Sequence, residues 1–231
     1  MSTVLVTGAN RGLGLEFCRQ YAQSGWTVLA CCRHPDSATT LKDLAASFPR
    51  ISIHPLEVAD FARVDALAIE LNDVAIDVLL CNAAIYGDEP SNGFGTIDYA
   101  RWMETLRINT MAPMKLAEAF LPHFLRSQRK LLVPMTSLMA SIADNKGGGS
   151  ILYRSSKAAL NAAMKSVAID LKAQGLNVLL MHPGWVKTDM GGSNAPTEAV
   201  DSIAGMIKVI DAFKQEDSGC FINFRGEELP W

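Results

Sequence analysis

Residues 3–14 read TVLVTGANRGLG: a β-branched run stops at Thr7, glycines follow at 8, 12 and 14, and an amphipathic pattern begins at once. A run too short for a helix and rich in Val and Leu reads as a buried strand. Glycine permits a tight turn and a close backbone approach, while the first helical turn offers free N–H groups and partial positive charge. The junction reads as strand, turn and helix, with a seat for a pyrophosphate formed by Gly8, Asn10, Arg11, Gly12, Leu13 and Gly14. Its spacing is G-x-x-x-G-x-G, not the G-x-G-x-x-G of the commonest dinucleotide fingerprint.

The same alternation continues outward from this unit. Short apolar runs recur at 27–32, 51–56, 76–82, 130–136, 176–183 and 220–224, separated by helical patterns at 12–24, 37–47, 61–71, 99–126, 151–174 and 196–215. Strands apolar on both faces, each followed by a helix, imply a parallel sheet covered above and below. The expectation is α/β: one doubly wound domain over residues 1–231, with about seven parallel strands and helices on both faces. Pro134 falls in a central strand, where it removes a ladder donor, so a local irregularity is expected there. The long loops, 84–98, 138–150 and 185–195, each follow the carboxyl end of a strand, the edge at which open α/β sheets bind ligands.

Bulk properties exclude several classes. The chain has 231 residues, is 49% hydrophobic and carries a net charge of −3, with its cations scattered, so nucleic acid is not an expected partner. Its 5 cysteines form no C-x-x-C and lie in or near apolar stretches, which reads as reduced core thiols. The 4 histidines show no metal-ligand spacing, so no metal is expected, and His182 reads as a packed core imidazole. A strand begins almost at the first residue and no apolar run approaches ~18 residues, so we expect a soluble, cytoplasmic protein with no membrane partner.

The end of the second strand bears on which dinucleotide fits. An acid there would hold a ribose 2′-hydroxyl, whereas arginine accepts a 2′-phosphate. The strand ends Cys31-Cys32-Arg33 without an acid, and Arg11 projects from the glycine turn toward the same region. Two guanidiniums suit a phosphate dianion, so NADP(H) is preferred over NAD(H), with Asp36 as the one opposing feature.

Residues 151–174 form an alanine-rich helical stretch that opens with Tyr153 and places Lys157 four residues later, on the same face. With the glycine turn, CNAA at 81–84, Asn109, Ser137, Tyr153-x-x-x-Lys157 and HPGWVKTDM at 182–190, the chain resembles the short-chain dehydrogenase/reductases, over nearly its whole length. Within them it is most similar to the small carbonyl-reductase and C-factor (C-signal) branch. The resemblance implies a Rossmann fold and four catalytic groups: Asn109, Ser137, Tyr153 and Lys157.

Tyr153 would donate its phenolic proton to the substrate carbonyl oxygen. Lys157 would hold the nicotinamide ribose and, with the oxidised nicotinamide, lower the phenol from its ordinary value of ~10. Ser137 would hydrogen-bond the same substrate oxygen, a place Thr136 could also take. The carbonyl of Asn109 loses its helical partner because Pro113 has no N–H, and a water there would relay protons to Lys157. The resemblance also places the cofactor against Arg33, Glu57, Val58, Asn82, Ala83, Ala84, Pro183, Gly184, Val186 and Thr188, besides Tyr153 and Lys157. Glu57 stands where the family usually has an aspartate, Ala84 replaces a usual glycine, and the Ser137 to Tyr153 gap is longer than usual.

Ile85, Tyr86, Met139, Trp185 and Met190 are candidates for lining an apolar or aromatic substrate pocket. The expected activity is NADPH-dependent reduction of aldehydes or ketones. Two alternatives stand beside it: a non-catalytic NADP(H)-sensing regulatory protein, and an alcohol dehydrogenase using NAD. The edge strand and apolar tail ending at Trp231, with the family resemblance, imply a homodimer or homotetramer.

Overall fold

The computed structural model describes residues 2–90 and 93–231. Met1, and Ser91 and Asn92 of the predicted loop 84–98, lie outside the described residues. Seven strands form where the apolar runs predict them: β1 Thr3–Thr7, β2 Thr27–Cys32, β3 Ile51–Pro55, β4 Val78–Cys81, β5 Leu131–Pro134, β6 Asn177–His182 and β7 Cys220–Asn223. They pair in the order β3-β2-β1-β4-β5-β6-β7, every pair parallel.

Helices α1 Gly12–Gln23, α2 Thr39–Ser47 and α7 Ala199–Ala212 cover one face, and α3 Phe61–Glu70, α5 Ala112–Leu125 and α6 Ile151–Asp170 cover the other. Side chains alternate across a strand. Val4 and Val6 therefore enter the core under α1, α2 and α7, while Leu5 enters the core under α3, α5 and α6. The strand order reverses at β1, whose neighbours are β2 and β4, and the crevice beyond their carboxyl ends is where such sheets bind ligands.

Two features depart from simple periodicity. The predicted helix 99–126 is three pieces: α4 Tyr99–Leu106, a π-helical turn Arg107–Met111, and α5. Pro113 cannot donate to Asn109, and the preceding N–H, that of Ala112, reaches back five residues to the carbonyl of Arg107. In β5 the ladder to β4 runs through Pro134, but the ladder to β6 stops after Leu132 and resumes as a bridge at Met135. Leu131 and Met135 donate toward β4 and Thr136 toward β6, so by alternation the donor missing at 134 is one that would face β6.

The edge of β7 is not open. Residues 226–229 turn back on it: Asn223 N–H donates to Glu227, Leu229 N–H to Phe221, and Ile222 bridges Glu228 antiparallel. The tail therefore pairs with part of the β7 edge within the chain itself. All five cysteines are free, and burial pushes the Cys18 thiol up to about 12 and those of Cys31 and Cys81 further in the same direction. His182 is lowered to about 4 by burial. Among the described residues no helix is long and apolar enough to cross a membrane.

Candidate active site

The turn after β1 is held from below by β4. Asn82 donates its side-chain amide to the carbonyls of Thr7 (2.9 Å) and Gly8 (3.3 Å), and the Thr7 hydroxyl accepts from the N–H groups of Asn82 and Ala83. Asn82 thus braces the turn while also facing the cleft, a role the motif alone does not reveal. Gly8 and Gly12 have φ of +67° and +53°, a region that favours glycine.

Gly14 is not among the residues lining the cleft. A Cβ there would overlap the Gly8 carbonyl oxygen and stand 2.7 Å from the Asn82 amide nitrogen. Its task is close packing of α1 on the turn. Gly14→Ala is expected to lower stability by about 3 kcal/mol and weaken dinucleotide binding, read by thermal denaturation and cofactor titration.

At the end of β2, Arg33 sits 3.7 Å from the Glu57 carboxylate, which also accepts the Ala59 N–H at 3.0 Å. Arg11 reaches across the cleft to Asp189 in the loop after β6. Both guanidiniums thus stand at the cleft already paired with a carboxylate, and Glu57 is engaged before any adenine arrives. Asp36 lies in a short 3-10 turn and is not among the cleft-lining side chains.

The other end of the cleft is built on α6. Tyr153 and Lys157 are buried on its inner face. The Ser137 hydroxyl, just past β5, accepts the Met139 N–H at 3.1 Å and acts on the Tyr153 phenol, whereas the Thr136 hydroxyl donates to Asn161 at 2.6 Å. Burial pushes the phenol up to about 12, against the lowering effect of Ser137.

Lys157 lies 5.8 Å from the Tyr153 ring centre and donates to the Met135 carbonyl at 2.7 Å. Burial lowers it to about 8, partly offset by the Cys81 thiol. The expected lowering of the phenol by this lysine is not seen in the chain by itself. Desolvation dominates both groups, and Lys157 directs a proton at a backbone carbonyl.

Asn109 is fully buried in the π-helical turn. Its amide pairs with both backbone groups of Ile85 (2.9 and 2.8 Å) and donates to the Ser156 hydroxyl at 3.0 Å. Its side chain therefore ties the loop after β4 to α6. The insertion before Tyr153 is taken up by exposed Gly147, Gly148 and Gly149, around which a Cβ would meet nothing.

The glycine turn, Arg33, Glu57, Val58, residues 82–85, Tyr153, Lys157, Pro183, Thr188 and Met190 share one continuous cleft wall. Gly14, Asn109, Ser137, Gly184, Val186, Tyr86, Met139 and Trp185 lie off it. Gly184 has φ +86° and packs on the Phe224 ring, Val186 is buried, and Trp185 is exposed with its indole bonded to the Gly191 carbonyl. The Tyr86 ring instead lies tilted against that of Tyr153, their centres 4.9 Å apart. Thr136, named above as the alternative to Ser137, is on the wall, and Cys32, His34, Ser37, Leu56, Ile108, Met135 and Asp189, which the sequence did not point to, complete it. Several adjoin strand ends already marked, so proximity to those ends is the signal that could have found them.

A glycine-turn cradle at the switch point of a parallel sheet, continuous with buried Tyr153 and Lys157, defines a dinucleotide-type oxidoreductase cleft. The family model for short chain dehydrogenase matches residues 2–199, and the chain belongs to that family. It is 42% identical to the C-signal of Myxococcus xanthus over 156 residues, covering 68% of this chain and 93% of that one. It is 36% identical to the 1-hydroxy-2-glutathionyl-2-methyl-3-butene dehydrogenase of Rhodococcus sp. strain AD45, covering 100% of both. Among solved structures it superposes on the NADPH-bound carbonyl reductase from chicken fatty liver with a TM-score of 0.93 and 33% identity, covering 100% of this chain and 99% of that one.

Proposed function

We propose that the chain is an NADPH-dependent carbonyl reductase in which Tyr153 is the proton donor. The observation that carries this is a buried Tyr153 phenol set one helical turn from Lys157, both on the wall of the cleft that begins at the glycine turn. The turn fits a pyrophosphate: Gly8 and Gly12 keep its backbone open, and Arg11 and Arg33 stand where a 2′-phosphate would lie. The nicotinamide, when bound, supplies the hydride.

The chain's own groups manage the proton. A phenol held near 12 stays protonated at neutral pH and can be given up only to a strongly basic oxygen, such as one gaining an alkoxide charge. Ser137 would orient that oxygen, and Lys157, protonated below about 8, stands beside the phenol ready to stabilise the phenolate. A sensing protein would need the cradle but not this buried donor. A panel of quinones, diketones and benzaldehydes with NADPH tests the reading; turnover of none of them contradicts it.

One observation favours the NAD-dependent alcohol dehydrogenase as second reading. A cofactor without a 2′-phosphate would leave the Arg33–Glu57 and Arg11–Asp189 pairs intact. The name of the Rhodococcus relative is in keeping with oxidation. Comparing dissociation constants for NADPH and NADH separates the two. Arg33→Ala is expected to weaken NADPH roughly 10- to 100-fold and leave NADH nearly unchanged.

A further inference from the structure

Tyr153 is the third residue of α6, and the first turn of a helix carries N–H groups without partners inside it. The residue in the usual capping position does not cap. Ser150 has φ 48° and ψ 47°, and its hydroxyl is bonded to the Tyr86 phenol at 2.6 Å. The cap comes from the loop after β4, 64 and 65 residues earlier: Asp88 accepts the Leu152 N–H at 3.1 Å through Oδ1 and the Tyr153 N–H at 2.8 Å through Oδ2.

The segment that presents Asp88 is itself fixed. Ile85 is paired with the Asn109 amide, and Gly87, at φ +82°, packs so closely on Thr105 that no Cβ fits. Asn109 also bonds Ser156, so residues 85–88 are tied to α6 directly through Asp88 and, a turn further along, through Asn109. Asp60 and Asp98 cap α3 and α4 from the adjoining position in sequence, each through a single oxygen. The Asp88 clamp is long-range and uses both oxygens on adjacent N–H groups, one of them that of Tyr153.

We infer that Asp88 is a positioning residue for proton transfer: its carboxylate clamps the Tyr153 backbone so that the phenol is held on the cleft wall beside Lys157. It acts through Tyr153 and touches no reacting atom. This rests on the reading of Tyr153 as proton donor.

The test compares Asp88→Ala, Asp88→Asn and Asp98→Ala, a local cap at the far end of the same loop, with wild type, using NADPH and benzaldehyde. Asp88→Ala is expected to lower kcat roughly 10- to 100-fold with KM for NADPH within about twofold. Asp88→Asn keeps one acceptor but turns an NH2 toward the second N–H, so it should recover only part of the loss. Asp98→Ala should lose thermal stability without losing kcat. Wild-type kcat in Asp88→Ala overturns the inference, as does an equal loss in Asp98→Ala. If Asp88→Ala does not fold, Asp88→Gln, whose longer arm misplaces the acceptors, carries the same comparison.

A second readout does not need turnover: absorbance titration of the phenol that disappears in Tyr153→Phe. Burial holds this phenol up, so a loosened helix start that admits water should bring its titration down in Asp88→Ala, and by less in Asp88→Asn. An unmoved titration in Asp88→Ala refutes the clamp. A wild type that reduces no carbonyl, together with a moved titration, refutes the reductase reading and leaves the clamp standing.

Discussion

Tyr153→Phe is expected to reduce kcat for carbonyl reduction by about 10³-fold while leaving the dissociation constant for NADPH within about twofold. The substitution removes one oxygen from a side chain that is 9% exposed and otherwise keeps its packing, including the Tyr86 ring against it. Ser137 keeps a partner, since its oxygen also accepts the Met139 N–H at 3.1 Å. Stability should therefore change by no more than about 1 kcal/mol, and the loss belongs to proton donation rather than to folding. Steady-state kinetics with a cofactor-binding titration on the same preparation separates the two. A variant that keeps a tenth or more of wild-type kcat would mean that the proton comes from elsewhere.

Lys157→Met is expected to abolish turnover and at the same time raise the melting temperature of the chain without cofactor. Lys157 is 3% exposed, and burial lowers it from 10.5 to about 8. Its folded value lies below its unfolded one, so between about 8 and 10.5 the unfolded chain binds more protons, and stability rises with pH across that window. Below about 8 the full cost of the buried ammonium is in force, on the order of 3 kcal/mol. Methionine fills similar space without charge, and the Met135 carbonyl loses one hydrogen bond, about 1 kcal/mol. The net gain of about 2 kcal/mol at pH 7 should fade as the pH passes 10. Thermal melts of both proteins across that range check the sign, and a variant less stable at pH 7 would contradict it. A site group kept at a cost to stability is expected where function demands it.

The sheet was readable because each strand is a short Val- and Leu-rich run buried on both faces, which no helical period fits. The cradle was readable for a related reason: glycines at a strand-to-helix junction have few other uses. What could not be read depends on partners far away in sequence. Gly14 looks like a ligand contact until the Gly8 carbonyl is placed against it. Arg11 and Arg33 look free until Asp189 and Glu57 arrive from other loops. Pro113 announced a disturbance at Asn109 but not its form, because the π-helical turn and the Asn109 pairing with Ile85 are settled by tertiary contact. Asp88 carries no local signal at all, since its partners lie 64 and 65 residues ahead.

A crystal structure of the chain with NADPH tests the central claim most directly. It should show the pyrophosphate on the glycine turn, the 2′-phosphate between Arg11 and Arg33 with the Arg11–Asp189 contact opened, and the nicotinamide ring beside the Tyr153 hydroxyl with its ribose on Lys157. A dinucleotide bound outside this cleft, or a Tyr153 hydroxyl turned away from the nicotinamide, would contradict it.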